Sequence, residues 1–440
     1  MMNCILAAIF FIGSAGPVFA LEADAVVVKV DSDTVYFDIT GSSKPVSPGS
    51  FFTIFSESGD LFNPLTGTNL GKMIVTVATG SITLLEPRYA VGTVTFKKSE
   101  PKPGHKVSWT QAPPKPAKPG EGKTPFWRSA PLEDTVIGLA AGDVDGDGEG
   151  EISVISANKL TVYSLNGGVL KAGASWEAPA GQRLLSVEAA DLKKTGMAQI
   201  FVSQFSDFSK RAETAVLELK DGKLKKTAAL NWLVRGFEAA DGLRLYAQEL
   251  FESSSLDRSA IRRLIYREGK FTGDSEPLKK PRPDWLYGFS LFDMNSDSIE
   301  DLVYVSDAGR IRVQFKKRSD HWETESNDFG KTPVRFTWIK KILKVYPGIP
   351  VFGGAGQPEV CGVVNIPRSG ILADSFGLYK SGELRCFAWS GTALKEIWKA
   401  PVEDGFITDI RHARLKGLPE GLLISAAGIS GRSFLMLFEP

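Results

Sequence analysis

Three histidines, His105, His321 and His412, are all that 440 residues offer for proton shuttling or imidazole ligation, and they stand far apart. No H-E-x-x-H, G-x-S-x-G, Walker loop or dinucleotide fingerprint occurs where a strand–helix context would support it. Gly353-Gly354-Ala355-Gly356 is glycine-rich but lacks a following Lys-Ser/Thr, so it reads as a turn between strands. Cysteine is as scarce, with three residues, and Cys361 has no recognisable base to activate it as a nucleophile. An excess of one charge is missing too. With 52 basic and 51 acidic residues the formal net charge is +1, which removes the electrostatic reason to expect nucleic acid or an anionic membrane as partner. After the first twenty residues no apolar run approaches the ~20 residues a membrane-spanning helix needs.

Those first residues form a distinct segment. Residues 1–20 are almost wholly apolar and end in Val18-Phe19-Ala20, with small residues at −3 and −1 of a cut before Leu21. This is the pattern of a secretory signal peptide, although an early Lys or Arg is lacking. Gly13, Gly16 and Pro17 interrupt the run, which argues against a membrane anchor, and Cys4 comes too early for a lipoprotein cut. The expectation is an exported protein, periplasmic or extracellular, without a lipid anchor. Cys361 and Cys386 then remain. Export permits a disulfide, and a disulfide and two buried thiols stay equally open.

What is abundant points to β structure. Gly 44 and Pro 25, with an apolar fraction of 43%, suggest many short strands and turns. Residues 21–97 read as a small β domain: Val26 to Val30 and Thr34 to Ile39 flank Asp31-Ser32-Asp33 like a hairpin, and further strands follow Pro48-Gly49 and Asn63-Pro64. Residues 98–124 are rich in proline and lysine and poor in aliphatic side chains beyond Val107, which suggests a semi-rigid spacer. Pro113-Pro114-Lys115-Pro116 has the form of a PxxP stretch, but a spacer is the better reading.

From residue 125 onward the pattern is organised around acidic loops. Asp143-Val144-Asp145-Gly146-Asp147-Gly148-Glu149-Gly150-Glu151 lies between two apolar stretches. Carboxylates at its positions 1, 3, 5 and 9, with the carbonyl of Glu149, offer the several oxygens at ~2.3–2.6 Å that a hard cation such as Ca²⁺ takes. Asp293-Met294-Asn295-Ser296-Asp297-Ser298-Ile299-Glu300-Asp301 is a second copy, with the Ile299 carbonyl in the place of Glu149. One such run alone could be a solvated acidic turn; two with the same ninth-position acid are harder to explain that way. The packing of Asp143 and Asp145 into a glycine-rich loop also favours cation binding over a general acid–base pair. A third copy, Asp191 to Gln199, keeps the first aspartate but carries Lys193, Lys194 and Thr195. No metal is expected there: either an ammonium takes the cation's place or the turn is simply exposed.

Both acidic loops resemble the calcium loops of FG-GAP (VCBS-type) repeats of integrin-like β-propellers. That resemblance implies one blade per repeat, with the loop joining the first two strands. In the N-terminal domain, Val35 to Ile39, Val46 to Phe55 and Asn63 to Gly71 resemble the C-terminal domain of the flagellar assembly T protein. This second resemblance implies a small, non-catalytic β-barrel-like docking module. Here that module comes first, so no flagellar role is transferred.

Units can be traced at Val136–Ala178, Leu184–Ala229, Trp232–Thr272, Tyr287–Glu325, Val334–Ala400 and Phe406 to the end. The third lacks the loop and carries a polar excursion, Glu252 to Arg258, instead. The last lacks its outer strand. Phe126-Trp127-Arg128-Ser129-Ala130-Pro131 supplies the missing piece from the other end of the region, which predicts a ring closed by residues 125–131. The fold expected is all-β: a propeller of six blades, or seven if the long fifth unit hides one, after a small barrel-like domain. Trp127, Trp176 and Trp398 hold equivalent places, which points to packing between blades.

Two functional classes follow. One is a calcium-binding, monomeric binding or scaffold module that meets an envelope protein or glycan. The other is a hydrolase or lyase acting on polysaccharide in the propeller's central depression. The shortage of histidine and the lack of an acid–base pair outside the ion loops favour binding.

Overall fold

The computed structural model describes residues 24–42, 46, 51–64, 66–110, 122–239, 242–250, 259–279, 283–295, 297–316, 321–353, 358–368, 377–390, 393–403, 405–428 and 431–439. The leader-like segment, the PxxP stretch, the excursion at 252–258 and Gly354 to Gly356 lie outside them. The chain divides into two compact units, residues 1–116 and 117–440.

The first unit is a closed barrel of β1 (Ala25–Asp31), β2 (Thr34–Asp38), β3 (Phe51–Phe62), β4 (Asn69–Leu85), β5 (Tyr89–Lys97) and β6 (Lys106–Thr110). Their order around it is β1-β2-β5-β4-β3-β6, with β6 pairing back onto β1. Period-2 alternation sends Val27, Val35, Phe37, Phe52 and Ile54 inward. A Cβ at Gly92 would fall 2.4 Å from the Phe52 ring, so that ring has room only over glycine. One boundary needs correction. Lys106–Thr110 falls in the expected spacer, yet it is the strand that closes the barrel, and Val107 and Trp109 are 0% and 1% exposed. Two inward side chains in a five-residue strand suffice when both flanking strands already exist; the surrounding prolines and lysines masked that short alternation.

The second unit is a six-bladed β-propeller. The short β7 (Trp127–Arg128) precedes blade one, made of β8 (Gly138–Gly142), β9 (Glu151–Ile155), β10 (Lys159–Asn166) and β11 (Val169–Glu177). Blade two is β12 (Gln182–Ala190), β13 (Gln199–Ser206), β14 (Ala212–Lys220) and β15 (Lys223–Leu230). Blade three is β16 (Leu233–Ala239), β17 (Gly242–Gln248), β18 (Ile261–Arg267) and β19 (Lys270–Pro277). Blade four is β20 (Phe289–Phe292), β21 (Asp301–Val305), β22 (Ile311–Gln314) and β23 (His321–Glu323). A separate hairpin, β24 (Arg335–Trp338) and β25 (Lys341–Lys344), follows. Blade five is β26 (Val351–Gly353), β27 (Pro358–Pro367), β28 (Tyr379–Trp389) and β29 (Leu394–Val402). Blade six is β30 (Gly405–Ala413), β31 (Gly421–Gly428) and β32 (Ser433–Phe438), completed by β7. The surplus length of the fifth unit holds the β24–β25 hairpin, and among the described residues no seventh blade is formed.

Ring closure follows the sequence reading. Leu437 pairs with Trp127 and Met436 with Arg128. The stitching continues through Ser129 N–H to Leu435 C=O at 2.9 Å and Leu132 N–H to Ser433 C=O at 2.8 Å. Trp127 packs with Leu437 of blade six and Leu165 of blade one. Its Nε1–H donates to Gly168 C=O at 2.7 Å. Trp176 packs into the cluster shared by blades one and two, and Trp398 into that shared by blades five and six. Cys361 and Cys386 face each other across β27 and β28 and are disulfide-bonded.

Candidate functional site

The acidic loops sit where an inner strand turns into its neighbour. Asp143–Gly150 joins β8 to β9, and Asp293–Glu300 joins β20 to β21. Three loops share one backbone scheme. The first-position aspartate accepts two main-chain N–H groups: Asp143 from Gly146 at 2.7 Å and Gly148 at 2.9 Å, Asp191 from Thr195 at 3.0 Å and Gly196 at 2.6 Å, Asp293 from Asp297 at 3.0 Å and Ser298 at 2.7 Å. The ninth residue reaches back across the loop. Glu151 accepts from Val144 N–H at 2.9 Å, Asp301 from Met294 N–H at 3.2 Å, and Gln199 from Lys193 N–H at 3.2 Å. Positions 1 and 9 thus shape the loop. Positions 3 and 5 decide whether negative charge is concentrated in it.

In the first loop, one carboxylate oxygen each from Asp143, Asp145 and Glu151 lie within 4.8 Å of one another. Asp145 Oδ1 also accepts Asp147 N–H at 3.1 Å, and Gly146 and Gly148 take φ of 86° and 87°, which favours glycine. Glu151 is buried. Burial, then the crowd of Asp145, Asp147 and Asp143, pushes its carboxyl up to about 7, against the Val144 N–H bond that pulls it down. Hard oxygens held this close, with one driven towards the protonated form, are a donor set that fits a divalent cation. Asp147 is engaged elsewhere: its Oδ1 accepts Glu149 N–H at 2.9 Å, and its Oδ2 meets Lys416 Nζ of blade six at 3.0 Å. The Glu149 bond, then Lys416, holds it below the ordinary aspartate range. Glu149 itself is exposed.

The second loop is looser in charge. Asp301 is 1% exposed, and both its oxygens are taken, by Met294 N–H and by Lys316 N–H at 3.1 Å. Asn295 Oδ1 accepts Asp297 N–H at 3.1 Å, and Asp297 Oδ1 accepts Ile299 N–H at 2.9 Å. Among the described residues, Asp293, Asp297 and Asp301 do not gather as closely as the acids of the first loop. In the loop of blade two, Lys193 pairs with Glu218 of its own sheet and lies 5.4 Å from the Tyr266 ring centroid. The Lys193 ammonium is therefore turned towards the sheet and not into the place a cation would take.

The sequence reading missed the axis of the ring. Strand β8 touches β12 and β30, and β16 touches β12, β20 and β26, so the inner strands surround a common centre. Four charged side chains fill it: Glu188 on β12, Arg235 on β16, and Asp409 and Arg411 on β30, at 1%, 2%, 2% and 7% exposure. Arg235 Nη2 donates to Asp409 Oδ1 at 2.9 Å and Nη1 to Glu188 Oε1 at 3.1 Å. Arg411 Nη2 donates to Glu188 Oε1 at 2.7 Å and Nη1 to Asp409 Oδ1 at 3.0 Å. Gly348 N–H also reaches Asp409 Oδ1 at 3.0 Å, and Arg235 lies 5.6 Å from the Tyr287 ring centroid. Burial pushes Glu188 up against the pull of Arg411 and Arg235, whereas for Asp409 the two arginines overcome burial and hold it down. The partial signal in the sequence is charge inside otherwise apolar inner strands, at Leu184-Leu185-Ser186-Val187-Glu188-Ala189 and Ile407-Thr408-Asp409-Ile410-Arg411, which does not say that these charges meet.

Beside this hub, Glu238, Arg411 and His412 line a cavity of about 20 Å³. Burial pushes the Glu238 carboxyl up to about 7 and lowers His412. Perturbed groups in a cleft are often catalytic, but this space admits roughly one water. At the other end of the inner strands the β24–β25 hairpin packs across blades two to four. Phe336 and Trp338 pack with Leu185 and Phe205 of blade two, Leu233 of blade three and Tyr287 beside blade four. The Phe205 and Phe336 ring centroids are 4.5 Å apart.

No family model matches the chain, and no curated protein sequence does. Solved structures that resemble it include Sqt1 of Saccharomyces cerevisiae, at 9% identity and TM-score 0.38 over 73% of this chain and 100% of that one. The apo-form soluble aldose sugar dehydrogenase of Escherichia coli resembles it at 14% identity and TM-score 0.35, over 72% of this chain and 99% of that one. AofleA of Arthrobotrys oligospora does so at 11% identity and TM-score 0.36, over 73% of this chain and 88% of that one. Likeness this distant assigns no family and no activity; what stands is the chain's own architecture, a six-bladed β-propeller after a six-stranded β-barrel.

Proposed function

We propose that the chain is an exported, calcium-binding β-propeller of FG-GAP/VCBS type that works as a binding or scaffold module of the cell envelope. The observation that carries this reading is the filled axis. An ion-paired hub occupies the ring where a propeller enzyme acting in its central depression would hold substrate, and a hairpin packs across blades two to four at one end. Export rests on the leader-like residues 1–20, and the barrel serves as the docking module its sequence resembles. In the first loop Asp143, Asp145, Asp147 and Glu151, with the Glu149 carbonyl, hold one Ca²⁺, for which Asp147 exchanges Lys416. Asp293, Asn295, Asp297 and Asp301, with the Ile299 carbonyl, hold a second and weaker one. The ions stiffen the loops and stabilise the fold by binding only the folded form.

Calcium must displace the proton from Glu151. Above about 7 that carboxyl is ionised and affinity is flat; below it, affinity falls about tenfold per pH unit. Calcium titrations from pH 5.5 to 8 check this, and Glu151→Gln is expected to bind more weakly with little pH dependence. In chelator the sign is opposite. A folded-state value above that of the unfolded chain makes the ion-free loop lose stability as pH rises from the ordinary glutamate range to about 7.

The functional reading is tested by capture from native envelope extracts together with incubation on envelope polysaccharides. Saturable capture without release of new reducing ends is expected. Time-dependent cleavage by the purified protein would overturn the binding reading.

A further inference from the structure

A groove of about 540 Å³ opens on blade four, lined by Trp285, Tyr287, Tyr304, Tyr346, Arg312 and Gln314 among others. Its volume is in the range of small-molecule sites. It is bordered by Gly288, where β20 begins, and by Val305, where β21 ends, so it lies at the opposite end of this blade from the acidic loop.

We propose that this groove binds a neutral oligosaccharide. The inference rests on the reading of the propeller as a binding module and names where and what it binds. Three rings, Trp285, Tyr304 and Tyr346, are partly exposed around the buried Tyr287. They are held in place. Trp285 Nε1–H donates to Lys344 C=O at 2.7 Å, which ties the indole to the end of β25. Arg312 is fixed by Glu323, to which Nη2 donates at 2.8 Å and Nε at 3.2 Å, and its Nη1 reaches Tyr304 Oη at 3.5 Å. Pre-set rings and planar polar groups lower the ordering cost of binding.

The lining chooses among ligand classes. A sugar ring offers a C–H face for an aromatic side chain and hydroxyls that both donate and accept. Around these rings stand the Gln314 amide, the Ser306 hydroxyl and two exposed acceptors, Asp284 and Asp307. A polyanion meets Asp284 and Asp307, while the arginine on this lining is already neutralised by Glu323. A purely apolar ligand leaves the polar groups desolvated and unpaired.

The test is isothermal titration of the full-length protein with cellotetraose, maltotetraose and chitotetraose, with tetragalacturonate and a lysine-rich peptide as charged probes. At least one neutral tetrasaccharide is expected to bind 1:1 with a Kd of about 1 mM or below. Gln314→Ala is expected to weaken it at least about tenfold at an unchanged melting temperature, and Tyr304→Ala at least as much, with some loss of melting temperature because that ring also packs against the core. Asp307→Lys, on an exposed turn, tests the same rim without touching the core and is expected to weaken binding too. The proposal is overturned if none of the three sugars binds at about 10 mM, if only a charged probe binds, or if the variants bind as the wild type does. Absence of sugar binding with envelope capture intact removes the groove alone. Cleavage of a bound sugar supports the groove and overturns the binding-only function.

Discussion

Arg235→Ala is expected to destabilise the propeller by about 3–5 kcal/mol, the usual cost of removing one partner from a buried ion pair. The guanidinium is 2% exposed and donates to both Glu188 and Asp409. Without it, two buried carboxylates share Arg411, and the hub changes from two charges of each sign to a net negative charge. Glu188, already pushed up by burial, loses one of the two arginines that oppose that push, and Asp409, held down by Arg235 and Arg411, loses one of those two supports. The shift in midpoint should be roughly 5–10 °C, read by thermal or urea unfolding. Arg235→Lys keeps the charge but not the fork, so an intermediate loss is expected. A change below about 1 kcal/mol in Arg235→Ala would mean the hub is solvated, and the argument that the axis is closed would fail.

The second large effect concerns closure. Trp127→Ala is expected to cost about 3–5 kcal/mol, as large-to-small changes at buried tryptophans do. Trp127 is 9% exposed and fills the seam between blades six and one. Its Nε1–H also satisfies the Gly168 carbonyl, which would be left facing the cavity. The loss acts on the strand that covers the edge of β32, so the variant should aggregate faster as well as melt earlier, because an uncovered edge is a template for pairing. Unfolding midpoints and light scattering at matched concentration check both parts. A variant as stable as the parent would mean that the two-residue β7 is not a closing element.

These two sites differ in how legible they were. Closure could be read because the repeat supplies a template: a tryptophan-bearing strand is missing at one end of the repeat region and surplus at the other. The placement of the acidic loops between inner strands could be read because the pattern lies within nine residues, and Gly146 and Gly148 mark the required backbone turns. The hub could not be read that way. Glu188, Arg235 and Asp409 are spread over some 220 residues, and only the ring brings them together; in one strand a lone charge resembles a solvent-facing position. Val107 and Trp109 were hidden by composition, because prolines and lysines around a short strand dominate any average. The β24–β25 hairpin counted as surplus length, since its apolar face makes sense only against blades two, three and four. The groove at Trp285 and Arg312 is built from residues of one blade and Tyr346, at no spacing that forms a motif.

On the proposed reading calcium stabilises the folded propeller through its acidic loops, and melting with and without the ion reads this out. Wild type, Asp145→Ala and Asp297→Ala would be melted in excess Ca²⁺ and in chelator. Calcium at a hundred times the Kd of the first loop should add about 2.7 kcal/mol to the wild type through that site, and the weaker second site a smaller amount. Asp145→Ala should lose most of that gain, and Asp297→Ala a smaller part. Equal midpoints for the wild type in calcium and chelator, or an Asp145→Ala response equal to that of the wild type, would contradict the account.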